Sequence, residues 1–211
     1  MDCERYFIIG DVHGCLGMLK RLIDKIKWRP DSDGLIFLGD YIDRGENSKG
    51  VIDFIIELSL ISPNVQCLMG NHERLFINYL DGEEDGMFLF NGGVSTLNSY
   101  TVNGKIEIPK EHLSFLNSLK AMIELEDYYI VHAGFKPGIE IRNQSENDRL
   151  WIREPFIFSD YDFGKKIIFG HTPFTLPLMM ENKIGLDTGA VYGNKLTCLE
   201  IPSIEFYYVE A

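Results

Sequence analysis

The sequence has no long hydrophobic run. No segment approaches the ~18 consecutive apolar residues that a membrane-spanning helix requires. Near the N-terminus, the apolar run at residues 6–9 is too short to be the hydrophobic region of a signal peptide. We therefore expect a cytoplasmic protein that has no membrane partner.

Basic residues and closely spaced cysteines are also scarce. The chain has 20 Lys and Arg against 32 Asp and Glu, which gives a formal net charge of -12. Nucleic-acid binding needs clustered positive charge, so this balance argues against a nucleic-acid partner. Cys3, Cys15, Cys67 and Cys198 show no C-x-x-C spacing, which argues against a zinc knuckle or a redox pair.

Short apolar runs alternate with segments of helical period, which is the pattern of an α/β (α+β) protein. A length of 211 residues favours a single domain over residues 1–211. We predict two stacked mixed β-sheets flanked by helices. Helices are expected over residues 16–26, 51–60, 73–79 and 109–119, and strands over 6–9, 35–38, 65–69, 122–125, 128–131, 166–169, 184–186, 196–201 and 205–209. Turn residues at 192–195 and 202–203 predict late hairpins.

Five short motifs carry most of the polar residues with catalytic potential. They are GDVHG at 10–14, GDYIDRG at 39–45, GNHE at 70–73, HAG at 132–134 and GHT at 170–172. Each one follows the end of an apolar run, and ligands of α/β proteins bind beyond the carboxyl ends of strands. We therefore expect the motifs to converge at one edge of the sheets.

The residue types in these motifs predict two metal sites. Asp11 and His13, two residues apart in a turn, can point to the same side, and Asp40 can bridge two ions with its two oxygens. Asn71, His132 and His171 would complete the coordination shell of the second ion. Mixed carboxylate and imidazole ligands suit manganese, iron, zinc or nickel better than calcium or magnesium. We expect two divalent ions and take manganese as the first choice.

The expected charge of such a centre favours a phosphate ligand. Two divalent ions, Asp11, Asp40 and a bridging hydroxide leave a net charge of about +1, and the neutral Asn71 preserves it. Ions ~3.5–4 Å apart would lower the pKa of a shared water, which could attack phosphorus in line.

Four further residues, His72, Asp43, Arg44 and Arg153, are expected to take part in the chemistry without binding a metal. His72 is placed to protonate the leaving oxygen, and Asp43 to orient His72. Arg44 is a bidentate donor for phosphoryl oxygens, and Arg153 is a candidate second donor, with Asn71 assisting.

In this order, the five motifs resemble the signature of the phosphoprotein phosphatase family of calcineurin-like metallophosphoesterases. The nearest resemblance is to the bacterial and phage serine/threonine phosphatases, similar to the lambda phage enzyme, and the Asp187-Thr188-Gly189 turn fits that branch. The resemblance implies the calcineurin-like sandwich fold. It also implies the same roles at the matching positions: first-metal ligands Asp11, His13 and Asp40; second-metal ligands Asp40, Asn71, His132 and His171; acid pair His72 and Asp43; phosphate-binding residues Arg44 and Arg153.

The first functional hypothesis is a serine/threonine protein phosphatase, whose partner is a phosphorylated protein or peptide. The second is a dinucleoside tetraphosphate hydrolase, because relatives with the same motifs cleave those substrates. That activity needs a pocket for adenine and more cationic side chains along the phosphate chain, and Lys and Arg are scarce around the motifs. The third is a non-catalytic scaffold, although every expected ligand position is filled. The oligomeric state stays open.

Outside the motifs we expect few functional residues. His112 is predicted to be a solvated helix residue, and the acidic residues 81–85 a solvated loop. Asn91-Gly92-Gly93 is either a helix stop or part of the rim of the site.

Overall fold

The computed structural model describes residues 3–83 and 86–211, most of them in short strands and helices. In chain order the strands are β1 (Arg5–Ile9), β2 (Asp33–Phe37), β3 (Val65–Cys67), β4 (Thr101–Val102), β5 (Lys105–Ile106), β6 (Met122–Glu124), β7 (Tyr128–Val131), β8 (Lys166–Phe169), β9 (Leu178–Met179), β10 (Lys183–Gly185), β11 (Lys195–Ile201) and β12 (Glu205–Glu210). The α-helices are α1 (Leu16–Ile26), α2 (Ser48–Ile61), α3 (Asn71–Leu80), α4 (Val94–Ser99), α5 (Lys110–Ser118), α6 (Glu146–Trp151) and α7 (Glu154–Ile157).

The strands form two five-stranded mixed sheets and one small hairpin. The first sheet has the order β12-β11-β1-β2-β3, in which β1, β2 and β3 are parallel and β11 is antiparallel to both neighbours. The second has the order β6-β7-β8-β10-β9, with β7, β8 and β10 parallel. The two mixed sheets confirm the predicted fold class.

The side chains of alternate strand residues build separate cores on the two faces of the first sheet. On one face, Ile8 and Ile36 pack in a cluster with Ile130 and Ile168 of the second sheet, so the sheets are stacked. On the other face, residues of β1 and β2 pack against α1 and α2. The outer face of the second sheet packs against α7 in a third cluster. The layers are therefore helix, sheet, sheet and helix.

Local sequence signals predicted most of the strands and longer helices, but not every turn between them. The turn at 202–203 joins the antiparallel strands β11 and β12, which confirms one late hairpin. The hairpin expected at 192–195 is wrong, because β10 and β11 lie in different sheets and a 3-10 turn at Ala190–Tyr192 leads from one to the other. Helices α4, α6 and α7 and the β4–β5 hairpin were not predicted, since they are too short to show a period.

The prediction for His112 is also wrong. The side chain is buried, with Nδ1 2.8 Å from the hydroxyl of Tyr100 and Nε2 2.8 Å from Oδ1 of Asp53. This imidazole thereby links α5 to α2 and to the end of α4. Of the acidic stretch, Asp81 and Glu83 are exposed as expected, and residues 84–85 lie outside the described residues.

Within the described part of the chain, no helix is both long and apolar enough to cross a membrane.

The carboxyl ends of five strands bring the motifs together. Motif residues follow β1, β2 and β3 in the first sheet and β7 and β8 in the second. Hydrogen bonds join the sheets at this edge. For example, Nδ1 of His132 donates to the carbonyl of Leu38 at 2.8 Å, and the backbone N–H of His171 donates to Oδ2 of Asp11 at 2.9 Å.

Candidate active site

The motif loops hold several side chains in an unusual backbone conformation. Eight non-glycine residues in the described chain have positive φ, and five of them belong to the motifs: His13, Asp40, Asp43, Arg44 and His171. Such conformations cost free energy in residues with a Cβ and tend to occur where function requires them. The backbone at this edge is therefore shaped to aim these side chains.

A first cluster of metal-ligand atoms comes from His13, Asp40 and His72, whose ligand atoms lie within 4.8 Å of one another. Nε2 of His13 is 3.5 Å from Oδ2 of Asp40. Nδ1 of His13 donates to the carbonyl of Ile42 at 2.7 Å. This bond fixes the tautomer, so the lone pair of Nε2 faces the cluster.

A second cluster comes from Asp40, His132 and His171. Nε2 of His132 is 3.4 Å from Oδ1 of Asp40, and Nδ1 of the same ring donates to the carbonyl of Leu38. Oδ1 of Asn71 lies 2.9 Å from both His132 Nε2 and His171 Nδ1. Asp40 thus contributes one oxygen to each cluster, which is the arrangement expected of a bridging carboxylate.

Asp11 supplies no atom to either cluster, but it lies against them. Its Oδ2 accepts from the backbone of His171, and its buried Oδ1 has no hydrogen-bond partner in the described structure. Burial, together with the charges of Asp187 and Asp40, raises the pKa of Asp11 well above its ordinary value. An unpaired carboxylate oxygen in a buried, acidic surrounding fits coordination to a cation.

The protonation states of the other groups fit metal ions as well. Burial lowers the pKa of His13 to about 3 and that of His171 to about 2, and it lowers the pKa of His132 too. Burial acts to raise the pKa of Asp40, but the surrounding imidazoles outweigh it and lower that pKa. Neutral imidazoles beside an ionised carboxylate are the forms that bind divalent metals.

His72 and Asp43 form a buried pair beside the first cluster. Nδ1 of His72 lies 2.6 Å from Oδ2 of Asp43, so Nε2 points inward, 3.9 Å from Oδ2 of Asp40. The hydroxyl of Thr96 donates to Oδ1 of Asp43 at 2.6 Å, and the Asp43 backbone N–H donates to the hydroxyls of Thr96 and Ser48. These bonds hold the Asp43 carboxylate in one orientation.

The two arginines predicted to bind phosphate approach different clusters. Nη1 of Arg44 is 2.5 Å from Nε2 of His13, and Nε of Arg153 donates to Nε2 of His171 at 3.2 Å. Arg153 precedes the first residue of α7. The structure therefore brings Arg153 to the site although its sequence motif is weak. All the predicted site residues lie at this edge.

Sequence reasoning missed the part played by Glu73. Its buried carboxylate accepts from the backbone N–H groups of Asp40 at 2.9 Å, Tyr41 at 2.8 Å, Ile42 at 3.3 Å and Gly70 at 3.1 Å. It therefore fixes the turn that carries Asp40. A signal was present, because an acidic residue at the third position of a helix often caps the N-terminus, as in α3.

Gly92 resolves the alternatives left open for residues 91–93. Its carbonyl accepts from the backbone N–H of Arg44 at 3.2 Å, and its φ is +103°. A Cβ built on Gly92 would lie 2.8 Å from Cγ of Arg44. The segment therefore belongs to the rim of the site and supports Arg44.

The model of the calcineurin-like phosphoesterase family matches residues 4–206. The chain belongs to this family. As a calcineurin-like phosphoesterase it is a metallophosphoesterase, a hydrolase, and the family implies divalent metal ions at the two clusters described above.

Curated relatives and solved structures resemble this phosphoesterase over nearly its whole length. It is 26% identical to the asymmetrical bis(5'-nucleosyl)-tetraphosphatase PrpE of Bacillus thuringiensis (strain Al Hakam), over 95% of this chain and 92% of the relative. PrpE of Bacillus cereus (strain AH187) is 27% identical over 97% and 94% of the two chains.

Two solved structures share the fold. A candidate diadenosine tetraphosphatase superposes with a TM-score of 0.81 at 22% identity, covering 98% of this chain and 93% of that one. A Saccharomyces cerevisiae serine/threonine phosphatase with similarity to human PP5 gives 0.68 at 17% identity, covering 98% and 80%. At these identities the likeness concerns the fold alone.

Proposed function

We propose that this phosphoesterase hydrolyses dinucleoside tetraphosphates asymmetrically, with water cleaving the substrate into a nucleoside monophosphate and a nucleoside triphosphate. The observation that carries the dinuclear chemistry is that Asp40 presents one oxygen to each of two buried clusters of ligand atoms. The choice of substrate is supported by the tetraphosphatases named above, which align with 95% or more of this chain.

In this proposal, Asp11, His13 and Asp40 hold one divalent ion, and Asp40, Asn71, His132 and His171 hold the other. When bound, the ions supply positive charge to the phosphoryl oxygens and lower the pKa of a water at the site. Manganese is the ion we propose to test first, because imidazole and carboxylate ligands accept it and metal supply decides the rest.

The side chains of the chain itself position the substrate and move the proton. Arg44 and Arg153, which reach the two clusters separately, hold the phosphoryl oxygens together with Asn71. His72 gives a proton to the leaving oxygen from Nε2, while Asp43 holds Nδ1 and stabilises the protonated ring.

A phosphoserine or phosphothreonine protein substrate is the second candidate. The observation that favours it is the buried His72–Asp43 pair. A serine or threonine alkoxide is a strong base and needs protonation to depart, whereas a departing phosphate group is a much weaker base. A well-oriented general acid is therefore of most use on a phosphorylated protein or peptide.

A parallel assay tests the two candidates. The metal-stripped protein is restored with manganese and given diadenosine tetraphosphate or a phosphoserine/phosphothreonine peptide, with the nucleotides separated by chromatography. We expect AMP and ATP in equal amounts and a higher kcat/KM for the dinucleotide. A higher value for the peptide would replace the first candidate by the second. Two equivalents of ADP would exclude asymmetric cleavage, and turnover of neither substrate with metal bound would favour the scaffold hypothesis.

A further inference from the structure

A groove of about 760 Å³ leads away from Arg44 along the protein surface. Its walls come from residues 14–21 at the beginning of α1, the turn at residues 44–47 and the turn at residues 190–193, and Ala211 also lines it. Arg44 is common to this groove and to the candidate active site. A ligand held at the metal clusters can therefore extend into the groove.

The groove is positively charged although the chain is strongly acidic. Lys20 and Arg21, both exposed on α1, line it together with Arg44, and Glu46 is the acidic side chain among the described lining residues. The first turn of α1 carries no acidic residue, so the partial positive charge of the helix N-terminus adds to the potential. Such a surface suits a polyanion.

Two contacts hold these cations beside the groove. The ammonium of Lys20 lies 5.4 Å from the ring centroid of Phe54. Nη2 of Arg21 donates to the carbonyl of Glu210 at 2.6 Å, which leaves the other guanidinium donors for a ligand. The positive charge is thus tethered at both positions.

An exposed aromatic ring stands where the groove meets the site. The Arg44 guanidinium lies 5.8 Å from the ring centroid of Tyr192, whose surface is 62% exposed. Tyr192 lies in a tight turn between Gly189 and Gly193, both with positive φ. Exposed aromatic rings beside cationic side chains are typical stacking partners for nucleobases.

We propose that this groove binds the phosphates distal to the cleavage point of a nucleoside polyphosphate, with Lys20 and Arg21 on the phosphates and Tyr192 against a nucleobase. The inference rests on the proposed function, since it assigns the extended part of that substrate to a place on the protein. It also supplies the cationic side chains and the base contact that the motifs themselves lack.

The first test measures binding, which requires no turnover. Calorimetry with ATP compares the wild type with the double variant Lys20→Gln/Arg21→Gln and with Tyr192→Leu. The control is Lys105→Gln/Lys110→Gln, which removes two exposed cations that do not line the groove. We expect a loss of at least tenfold in affinity for the first double variant, several-fold for Tyr192→Leu and none for the control. Equal affinity of the wild type and both groove variants would overturn the proposal.

The second test separates this inference from the proposed function. In the manganese-restored protein, Lys20→Gln/Arg21→Gln should raise KM for diadenosine tetraphosphate at least tenfold, and far more than KM for p-nitrophenyl phosphate, which is too short to fill the groove. If the wild type binds ATP through Lys20 and Arg21 but does not cleave the dinucleotide, the groove stands and the proposed substrate falls. If it cleaves the dinucleotide and the variant loses nothing, the groove assignment falls alone.

Discussion

Nδ1 of His72 lies 2.6 Å from Oδ2 of Asp43, and both side chains are buried beside Asp40, which contributes an oxygen to each cluster. The short contact orients the ring so that its other nitrogen faces the cluster. Because Asp43 is itself held by Thr96 and by its own backbone contacts, the imidazole has little freedom to turn. This geometry is the basis of the first prediction.

Replacing His72 by Asn should leave the bound metal in place but remove the proposed proton donor. We expect turnover of an alkyl phosphate to fall about 10²–10⁴-fold, the usual contribution of general acid catalysis. Turnover of an aryl phosphate, whose leaving group is already a weak base, should fall much less. Steady-state kinetics on both, with metal content measured by mass spectrometry, checks this, and equal losses would remove His72 as the acid.

Replacing Asp11 by Asn should reduce the metal content. Oδ1 of Asp11 has no hydrogen-bond partner in the described structure, and the substitution removes the negative charge with which it would bind a cation. The same change removes a buried negative charge next to Asp187 and Asp40, so the melting temperature of the metal-free protein should not fall. Metal analysis after equilibrium dialysis and thermal melts in EDTA measure the two effects. Unchanged metal content together with unchanged activity would exclude Asp11 as a ligand.

The convergence of the motifs was predictable because it follows from local rules. Apolar runs of strand length predicted β1, β2, β7 and β8, and polar motifs at their carboxyl ends had to meet if those strands were parallel neighbours. The hydrogen bond between Asp11 and His171 needs the predicted stacking of the sheets as well, because Asp11 follows β1 in the first sheet and His171 follows β8 in the second.

Other features depend on contacts between elements that are distant in sequence, and a single sequence does not show which elements pack together. The capping signal of Glu73 predicts its bond to the Gly70 backbone, but its bonds to the backbone N–H groups of Asp40 and Tyr41 depend on how the loops pack. His112 lies on the polar helix α5, and its burial follows from the packing of α5 against α2, which the local sequence does not show. Lys20 and Arg44 line one groove although they lie in different segments of the chain, and a count of basic residues near the motifs does not show this.

Replacing Gly92 by Ala should impair phosphate binding through Arg44. The new methyl group would lie 2.8 Å from Cγ of Arg44, and the residue has positive φ. Gly104→Ala is a matched control, since Gly104 also has positive φ but a Cβ there meets no described atom within 4 Å. We expect each variant to lose about 1 kcal/mol of stability from backbone strain. Only Gly92→Ala should also raise KM, by about tenfold, and equal KM values would show that Gly92 does not support Arg44.

Asp33 should make the protein sensitive to acid at a place remote from the proposed chemistry. Its buried carboxylate accepts from Arg5 at 2.9 Å and from Arg29 at 2.9 Å, and it also accepts from the Arg29 backbone N–H at 2.8 Å. Burial acts to raise the pKa of Asp33, but these bonds outweigh it and hold the pKa below its ordinary value of 3.8. The unfolded chain therefore binds more protons than the folded protein in acid, and the stability that Asp33 contributes is complete above about pH 4 and is lost as the pH falls below that value.

Comparison with Asp33→Asn isolates this contribution from that of the other carboxylates. At pH 7 the variant should be less stable by about 2 kcal/mol, the range for hydrogen bonds to charged groups. The difference from the wild type should shrink as the pH is lowered from 4 toward 2, because protonation of Asp33 weakens the same bonds in the wild type. Urea unfolding at a series of pH values measures the difference, and Asp31→Asn, at an exposed neighbouring position, is the control. A difference that stays constant down to pH 2 would mean that the ionised form of Asp33 is not what stabilises this end of the first sheet.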